Sequence, residues 1–550
     1  MKKIQLFAAT MLLGMATSCK EQLDVKNPNQ PTVESANTES GIIALAQGGV
    51  YQNGFRRETT DPFYDGVPGQ FWSGVIGTHE TLGDIVGAEA ANQYMNQIGA
   101  PDYVILDNGK KVLNPNAPNT QVALIRAINQ NSLQGQNPLY HEWWYMYSLN
   151  TQMNKIISSS DAATFSGDTK TKKAVIQAWG YWWKGYAYSR LASLYYAGII
   201  NNAAIGTNNT FVTKEALLAE ANANLDKATT LLSGVQAGGD YDVVLRQIIP
   251  SFNQVEKGQI PTPDMWKRNI NTMKARNLLV NTRTSDMTAA QWQQILTLTN
   301  DGIKVSDNVF TGRSNTNGDF LAAQTGTLAA KATGNPAGGA TYKISERLIQ
   351  DFNAGDKRLA NNFSQLPAPW LGASDRGNIF NTRWQLVDGG NGVAGAIVYS
   401  NRKAGATELY LAGTYEENEL MKAEAKIYTG DITGGLALID AVRNSQGAGL
   451  AALSTSLTKA QALEEIRKER RTALAFRGLS FYDARRMGII DDVSKGGGRK
   501  GAVVIDAAGK LNTNATINYN YLDYWDVPDN ELAYNAPAAN SAPVKNPRQQ

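Results

Sequence analysis

Two histidines, His79 and His141, and one cysteine, Cys19, are all that 550 residues offer for imidazole or thiol chemistry. A zinc site wants three or more His, Cys or carboxylate ligands, so the sequence implies no metal and no cofactor. A Ser-His-Asp triad would have to use one of the two histidines, and no G-x-S-x-G elbow accompanies them. A glycosidase needs only two carboxylates roughly 5–9.5 Å apart; nothing marks such a pair among the 49 acidic residues. Gly390 to Gly395 fits G-x-G-x-x-G, but a pyrophosphate cradle needs a strand before it and a helix after. Ala396-Ile397-Val398-Tyr399 follows and reads as a strand, so a Gly-rich hairpin is expected. Lys495 to Lys500, KGGGRK, lacks the Walker spacing and reads as a mobile loop. Catalysis is not expected.

Binding is better served. The chain has 11 Trp and 23 Tyr against 14 Phe, and these rings join a flat apolar face to a polar edge. Most should pack the core, and His141, beside Trp143 and Trp144, should be a packed or capping residue. Rings on long loops are the candidates for ligand contact: Tyr64, Phe71 and Trp72 in DPFYDGVPGQFWSG, and Trp370 and Trp384 with Asp375 and Arg376 nearby. Sugar C–H faces stack on such rings, and hydroxyls pair with Asp or Arg. The candidate ligand-binding set is Tyr64, Trp72, Trp370, Trp384, Asp375 and Arg376, with a core role open for each ring.

The N-terminus gives an address. Lys2 and Lys3 precede a short apolar run, Ile4 to Leu13, and small residues lead to Cys19. That is a secretory signal, residues 1–18, too short to span a bilayer. Met15 to Cys19 resembles a lipobox, which makes Cys19 the lipidated first residue of the mature chain; the alternative is a plain signal followed by a thiol. A single cysteine forms no internal disulfide. Net charge falls from +3 to +1 without the signal, so there is no general electrostatic drive toward nucleic acid.

The elements that position these residues are helical. Lys172 to Ala197 repeats apolar residues at spacings of three and four (Val175, Trp179, Trp182, Tyr186, Leu194). Lys214–Leu232 follows, with Thr213 as N-cap. Further pairs are Asp264–Val280 with Thr288–Ile303, Tyr415–Tyr428 with Thr433–Val442, and Thr458–Phe476 with Gly478–Met487; Tyr140–Ile157 precedes them. Small residues and the tight Gly turn at Thr429-Gly430-Asp431 look like a tetratricopeptide unit. The scaffold falls chiefly in 140–305 and 410–490, and the loop-rich segments in 59–120 and 305–406. Within Glu464 to Arg471 acids and bases alternate, with Glu464 four residues before Lys468. An ion-pair network is expected there, over packed Ile466, Leu474, Phe476, Phe481 and Tyr482.

Glu464 to Gly488, EEIRKERRTALAFRGLSFYDARRMG, closely resembles the signature of the SusD/RagB family of nutrient-binding outer-membrane lipoproteins. Other similarities follow in the family's order: Cys19 to Asp24, Lys184 to Tyr196, Met273 to Val280, Phe352 to Arg358, Glu419 to Asp431, Trp525 to Leu532 and Asn546-Pro547. The resemblance implies a mainly α, SusD-like fold over residues 19–550 as a single domain, with four tetratricopeptide-like pairs and a loop-rich second layer with a few short strands. It implies a lipid-anchored protein facing the cell exterior. Its ligand would be an oligosaccharide, or in some relatives a peptide, and its partner a TonB-dependent transporter of the SusC type that it covers as a lid. No catalysis and no nucleic acid are implied. Two other readings stay open: a helical-repeat lipoprotein that binds other proteins, and a surface glycosidase.

Overall fold

The computed structural model describes residues 37–52, 75–89, 93–133, 136–312, 341–372, 377, 379–387, 389–396, 399 and 409–548. Cys19, the signal segment, Tyr64, Phe71, Trp72, Asp375 and Arg376 lie outside the described residues.

Nine helices build the scaffold: α1 Pro138–Ala162, α2 Thr169–Leu194, α3 Lys214–Leu232, α4 Pro263–Val280, α5 Ala289–Asn300, α6 Tyr415–Tyr428, α7 Ile432–Ser445, α8 Lys459–Ala473 and α9 Ser480–Arg486. Five of them start in the same way. Thr213, Thr262, Thr288, Thr414 and Thr458 each accept the backbone N–H three residues on, which satisfies a donor the helix itself cannot. Each helix from α1 to α8 packs on the next in sequence, including α5 on α6 across the long connection between them. The mainly α fold with paired helices is therefore observed. At the crossing of α2 and α3 a side chain on Gly185 would lie 2.7 Å from Leu225 Cγ and 3.1 Å from the Ala221 carbonyl, so only glycine allows the approach.

The centre of the core is aromatic. Trp179, Trp182, Trp183 and Trp266 are all sealed from solvent. Phe310 inserts among them, 5.1 Å from Trp179, 5.3 Å from Trp182 and 5.2 Å from Trp266, ring centre to ring centre. Phe310 belongs to the stretch expected to be loop-rich, so that stretch supplies a central core residue.

Several helix ends differ from expectation: Tyr140–Ile157 extends to Ala162 and Thr288–Ile303 stops at Asn300, and two further ends have a clear physical reason. The helix expected to reach Ala197 stops at Leu194. Trp525 N–H donates to the Leu194 carbonyl at 2.8 Å and Tyr196 N–H to the Trp525 carbonyl at 2.8 Å, which draws the chain into extended form. The helix expected to reach Phe476 stops at Ala473, because Phe476 takes a left-handed backbone (φ +65°) that no helix accommodates. Helices Glu39–Gln47 and Gly239–Ile248, which pack on each other and on α2, were not foreseen.

The second layer carries short strands: β1 Val86–Ala88, β2 Tyr103–Ile105, β3 Lys111–Leu113, β4 Tyr342–Ile344, β5 Phe363–Trp370, β6 Thr382–Leu386, β7 Arg499–Ile505 and β8 Leu511–Asn518. Antiparallel pairs join β1 to β4 and β5 to β6, and a four-stranded sheet runs β7-β8-β2-β3. Residues 495–500 are not a free loop, since Arg499 and Lys500 open β7. Gly390 to Gly395 forms turns tied to Asn361, which accepts from Asn391 and Val393. No strand is present at Ala396 or Tyr399, the two described residues of the strand expected there.

Candidate functional site

Trp370 and Trp384 sit on the two strands of one hairpin. The pairing runs Phe363↔Leu386, Ser364↔Gln385 and Gln365↔Trp384, then slips before Trp370↔Thr382. The slip falls where Pro367 and Pro369 remove two ladder donors. The hairpin rests on β4 through β6, and Asn381 anchors its return. Asn381 Nδ2 donates to the Ile505 carbonyl at 3.0 Å, and its Oδ1 accepts from Gly372 N–H at 2.8 Å.

The two tryptophans differ in environment. Trp384 packs against the main core, and its indole N–H is buried with no acceptor among the described residues. Like Trp370 it is half-buried, but its ring packs on the core and so supports the hairpin. Trp370 is half-buried. The ammonium of Lys343, on β4, lies 4.7 Å from its ring centre, a cation–π contact with a buried lysine. A side chain on Gly372 would lie 2.9 Å from the Trp370 ring edge and 3.6 Å from Glu89 Oε1, so the glycine keeps the ring edge clear beside that carboxylate. Exposed Leu371 adjoins it. A fixed indole with a carboxylate near its edge can stack an apolar ring face and accept hydrogen bonds from hydroxyls. Asp375 and Arg376 follow Gly372 by three and four residues in the chain. Lys343 and Glu89 were missed by the sequence reading, because only the packing of β4 on the hairpin and the pairing of β1 with β4 bring them to Trp370.

The charged signature is structural. Arg486 lies between Glu424 (2.7 and 2.8 Å) and Asp483 (2.8 Å), and Arg470 reaches Asp483 at 2.8 Å. Arg358 pairs with Asp356 at 2.7 Å and Glu469 at 2.6 Å, and Glu469 also accepts from Arg443 at 2.9 Å. Nearly all these groups are sealed from solvent. Ile466, Leu474, Phe476, Phe481 and Tyr482 are buried beneath, as expected. One pairing is corrected: Glu464 bonds Arg467 at 2.7 Å, and Lys468 turns to Glu465. Three residues apart suits the reach of the Arg467 fork better than the four to Lys468.

The histidines give no catalytic centre. His79 Nε2 is 2.7 Å from Glu142 Oε2, and Arg190 Nε is 2.5 Å from Glu142 Oε1. Burial lowers the His79 pKa despite Glu142, which favours charge on the ring. Burial would raise Glu142, yet Arg190 and His79 hold it below its ordinary value. His79 and Glu142 are fully enclosed, so the cluster ties α1, α2 and the helix Ile76–Leu82 together. His141 is half-buried near the start of α1. Among the described residues no group of His, Cys, Asp and Glu could hold a metal, and no helix is long and apolar enough to cross a membrane.

Comparison with known proteins bears out the resemblance read from the sequence. Residues 415–544 match the model of the SusD family. A SusD-like carbohydrate-binding protein from Bacteroides vulgatus shares the fold at 14% identity, with a TM-score of 0.50 over 90% of this chain and 92% of that one. Surface glycan-binding protein A from Bacteroides fluxus shares it at 11% identity, with a TM-score of 0.51 over 94% of this chain and 100% of that one. No curated protein matches by sequence.

Proposed function

Starting from a chain of the SusD/RagB family, we propose that this protein captures an oligosaccharide at the cell surface on a platform centred on Trp370. The bound glycan passes to a TonB-dependent transporter of the SusC type. The observation that carries the reading is the half-exposed indole of Trp370, held from below by the Lys343 ammonium at 4.7 Å. Trp179, Trp182, Trp183 and Trp266 are sealed, whereas this ring is held in place and left partly open on a supported hairpin. Glu89 accepts hydroxyl hydrogen bonds at the ring edge. Tyr64, Trp72, Asp375 and Arg376 stay candidates for ligand contact in this reading, while Trp384 supports the hairpin. The two similar structures, a carbohydrate-binding protein and a glycan-binding protein, favour a sugar over other small ligands.

Lipid on Cys19 anchors the mature chain to the outer membrane, facing outward. The chain binds and does not cleave.

Titration of the mature protein with a panel of neutral oligosaccharides tests the reading. At least one is expected to bind, and Trp370→Ala is expected to weaken it about tenfold or more, the scale of a lost stacking contact with unchanged fold. A panel without a binder, or a Trp370→Ala protein that binds as well as wild type, would overturn it. Release of shortened sugars from the same panel would favour the glycosidase reading instead. Palmitate labelling that is lost in Cys19→Ser checks the anchor.

A further inference from the structure

A second cavity lies apart from Trp370, between α8, β7 and the turn Leu82–Asp84. Its volume is about 430 Å³, within the range of small-ligand pockets. One acid and three arginines set its character. Asp351 is buried and accepts from Arg467 at 2.8 Å, Arg471 at 2.6 Å and Arg499 at 2.8 Å. Burial alone would raise its pKa, but the three guanidiniums hold it well below the carboxylate range.

The three positive charges are not matched. Arg467 has a second partner in Glu464, but that side chain is 47% exposed and its pull is screened. Arg471 turns its remaining nitrogens to the neutral carbonyls of Gly83 and Asp84. The other two acids on the wall belong elsewhere: Asp84 pairs with Arg347, and Asp483 with Arg470 and Arg486, none of which lines the cavity. Lys468 turns to Glu465, which does not line the cavity, at 3.4 Å, and Lys500 is exposed at the rim with no carboxylate partner among the described residues. Four cations thus face Asp351 and Glu464. Burial lowers the Arg499 pKa, and Arg471 and Arg467 push the same way against Asp351. Buried charge left uncompensated is costly, and an incoming anion relieves it. Against this charge the floor is apolar, with Leu82, Met487, Ile489 and Ile490.

We propose that this cavity is a binding site for a carboxylate carried on a compact body with an apolar face. The carboxylate meets Arg499, Arg467 and Lys500, and the body rests on Leu82 and Ile490. Guanidinium forks match carboxylate geometry. Two carriers fit that chemistry, a uronic acid residue of a glycan and the terminal carboxylate of a peptide.

The experiment titrates the full mature protein at low salt with two acids and their neutral counterparts: glucuronate against glucose, and N-acetylleucine against N-acetylleucinamide. At least one acid is expected to bind more tightly than its counterpart. Glucuronate alone would identify a sugar source, N-acetylleucine alone a peptide source, and both would identify a general carboxylate site. Arg499→Gln is expected to weaken the acid about tenfold, with partial recovery in Arg499→Lys. Lys500→Gln, at the exposed rim where folding is not at stake, is expected to weaken it about threefold. Trp370→Ala is expected to leave acid binding unchanged, which separates this site from the oligosaccharide platform. Neither acid exceeding its neutral counterpart, or unchanged acid binding in every charge variant that folds, would overturn the proposal.

Discussion

Glu80 holds Phe476 in its left-handed turn from 396 residues away. Its carboxylate accepts the backbone N–H of Phe476 at 3.2 Å and of Gly478 at 2.8 Å, between α8 and α9. A phenylalanine at φ +65° costs about 1–3 kcal/mol and persists only when its surroundings dictate it. Glu80 is that dictate.

The same carboxyl sets a pH dependence. Burial pushes Glu80 up to about 7 from 4.5, against the lowering by those two N–H donors. The folded state therefore holds the Glu80 proton more tightly than the unfolded chain does. Its contribution to stability is fully present at and below pH 4.5, declines as pH rises to about 7, and is level above that. His79, which burial lowers from 6.5, contributes the opposite slope below that pH. The difference between wild type and Glu80→Gln isolates Glu80. Urea midpoints across this window are expected to show the variant losing less stability with rising pH.

Arg486→Ala is expected to destabilise strongly. Arg486 alone neutralises Glu424, and both side chains are about 1–2% exposed. Removing one member of such a pair costs about 3–5 kcal/mol, while replacing both with apolar groups costs far less. Denaturant midpoints of Arg486→Ala and of Arg486→Met with Glu424→Leu check this; equal losses in the two proteins would contradict it.

The hairpin tryptophans should separate binding from stability. Trp384→Ala opens a gap against the core and is expected to cost up to about 3 kcal/mol. Trp370→Ala removes a half-exposed ring and is expected to cost less than about 1 kcal/mol while losing the ligand. Thermal midpoints read beside oligosaccharide titrations show whether the two effects part in this way.

Phe310→Ala should be worse than its place between helix and strand suggests. The ring fills the space among three tryptophans, so its loss is expected to cost about 3–5 kcal/mol and to shift the tryptophan fluorescence. Loss of less than about 1 kcal/mol would mean that the cluster closes over the gap.

What the sequence disclosed followed from local rules. Tyr415–Tyr428 and Lys214–Leu232 start and stop where their threonine caps and periodicity put them. The alternating charges of Glu464 to Arg471 announced an ion network. Their partners Asp351, Arg358 and Arg443 could not be read, because only the fold brings them to α8. Phe476 looked helical since nothing near it in the chain reveals Glu80. Trp370 and Trp384 were equal as letters on a loop; the fold leaves both half-buried, one over the Lys343 ammonium and the other against the core. His79 with Glu142 left no trace in spacing at all.

The sheet β7-β8-β2-β3 fixes an order of assembly. β2, at Tyr103–Ile105, is bonded on one side to β3 and on the other to Thr516–Asn518 of β8. Until the polypeptide beyond Leu511 arrives, β2 and β3 form a two-stranded ribbon, marginal in water, with an open edge able to recruit other chains. A chain halted before that point is expected to be cut quickly by protease where the finished one resists. Synthesis must therefore pass Asn518 before this sheet can close around Tyr103–Ile105.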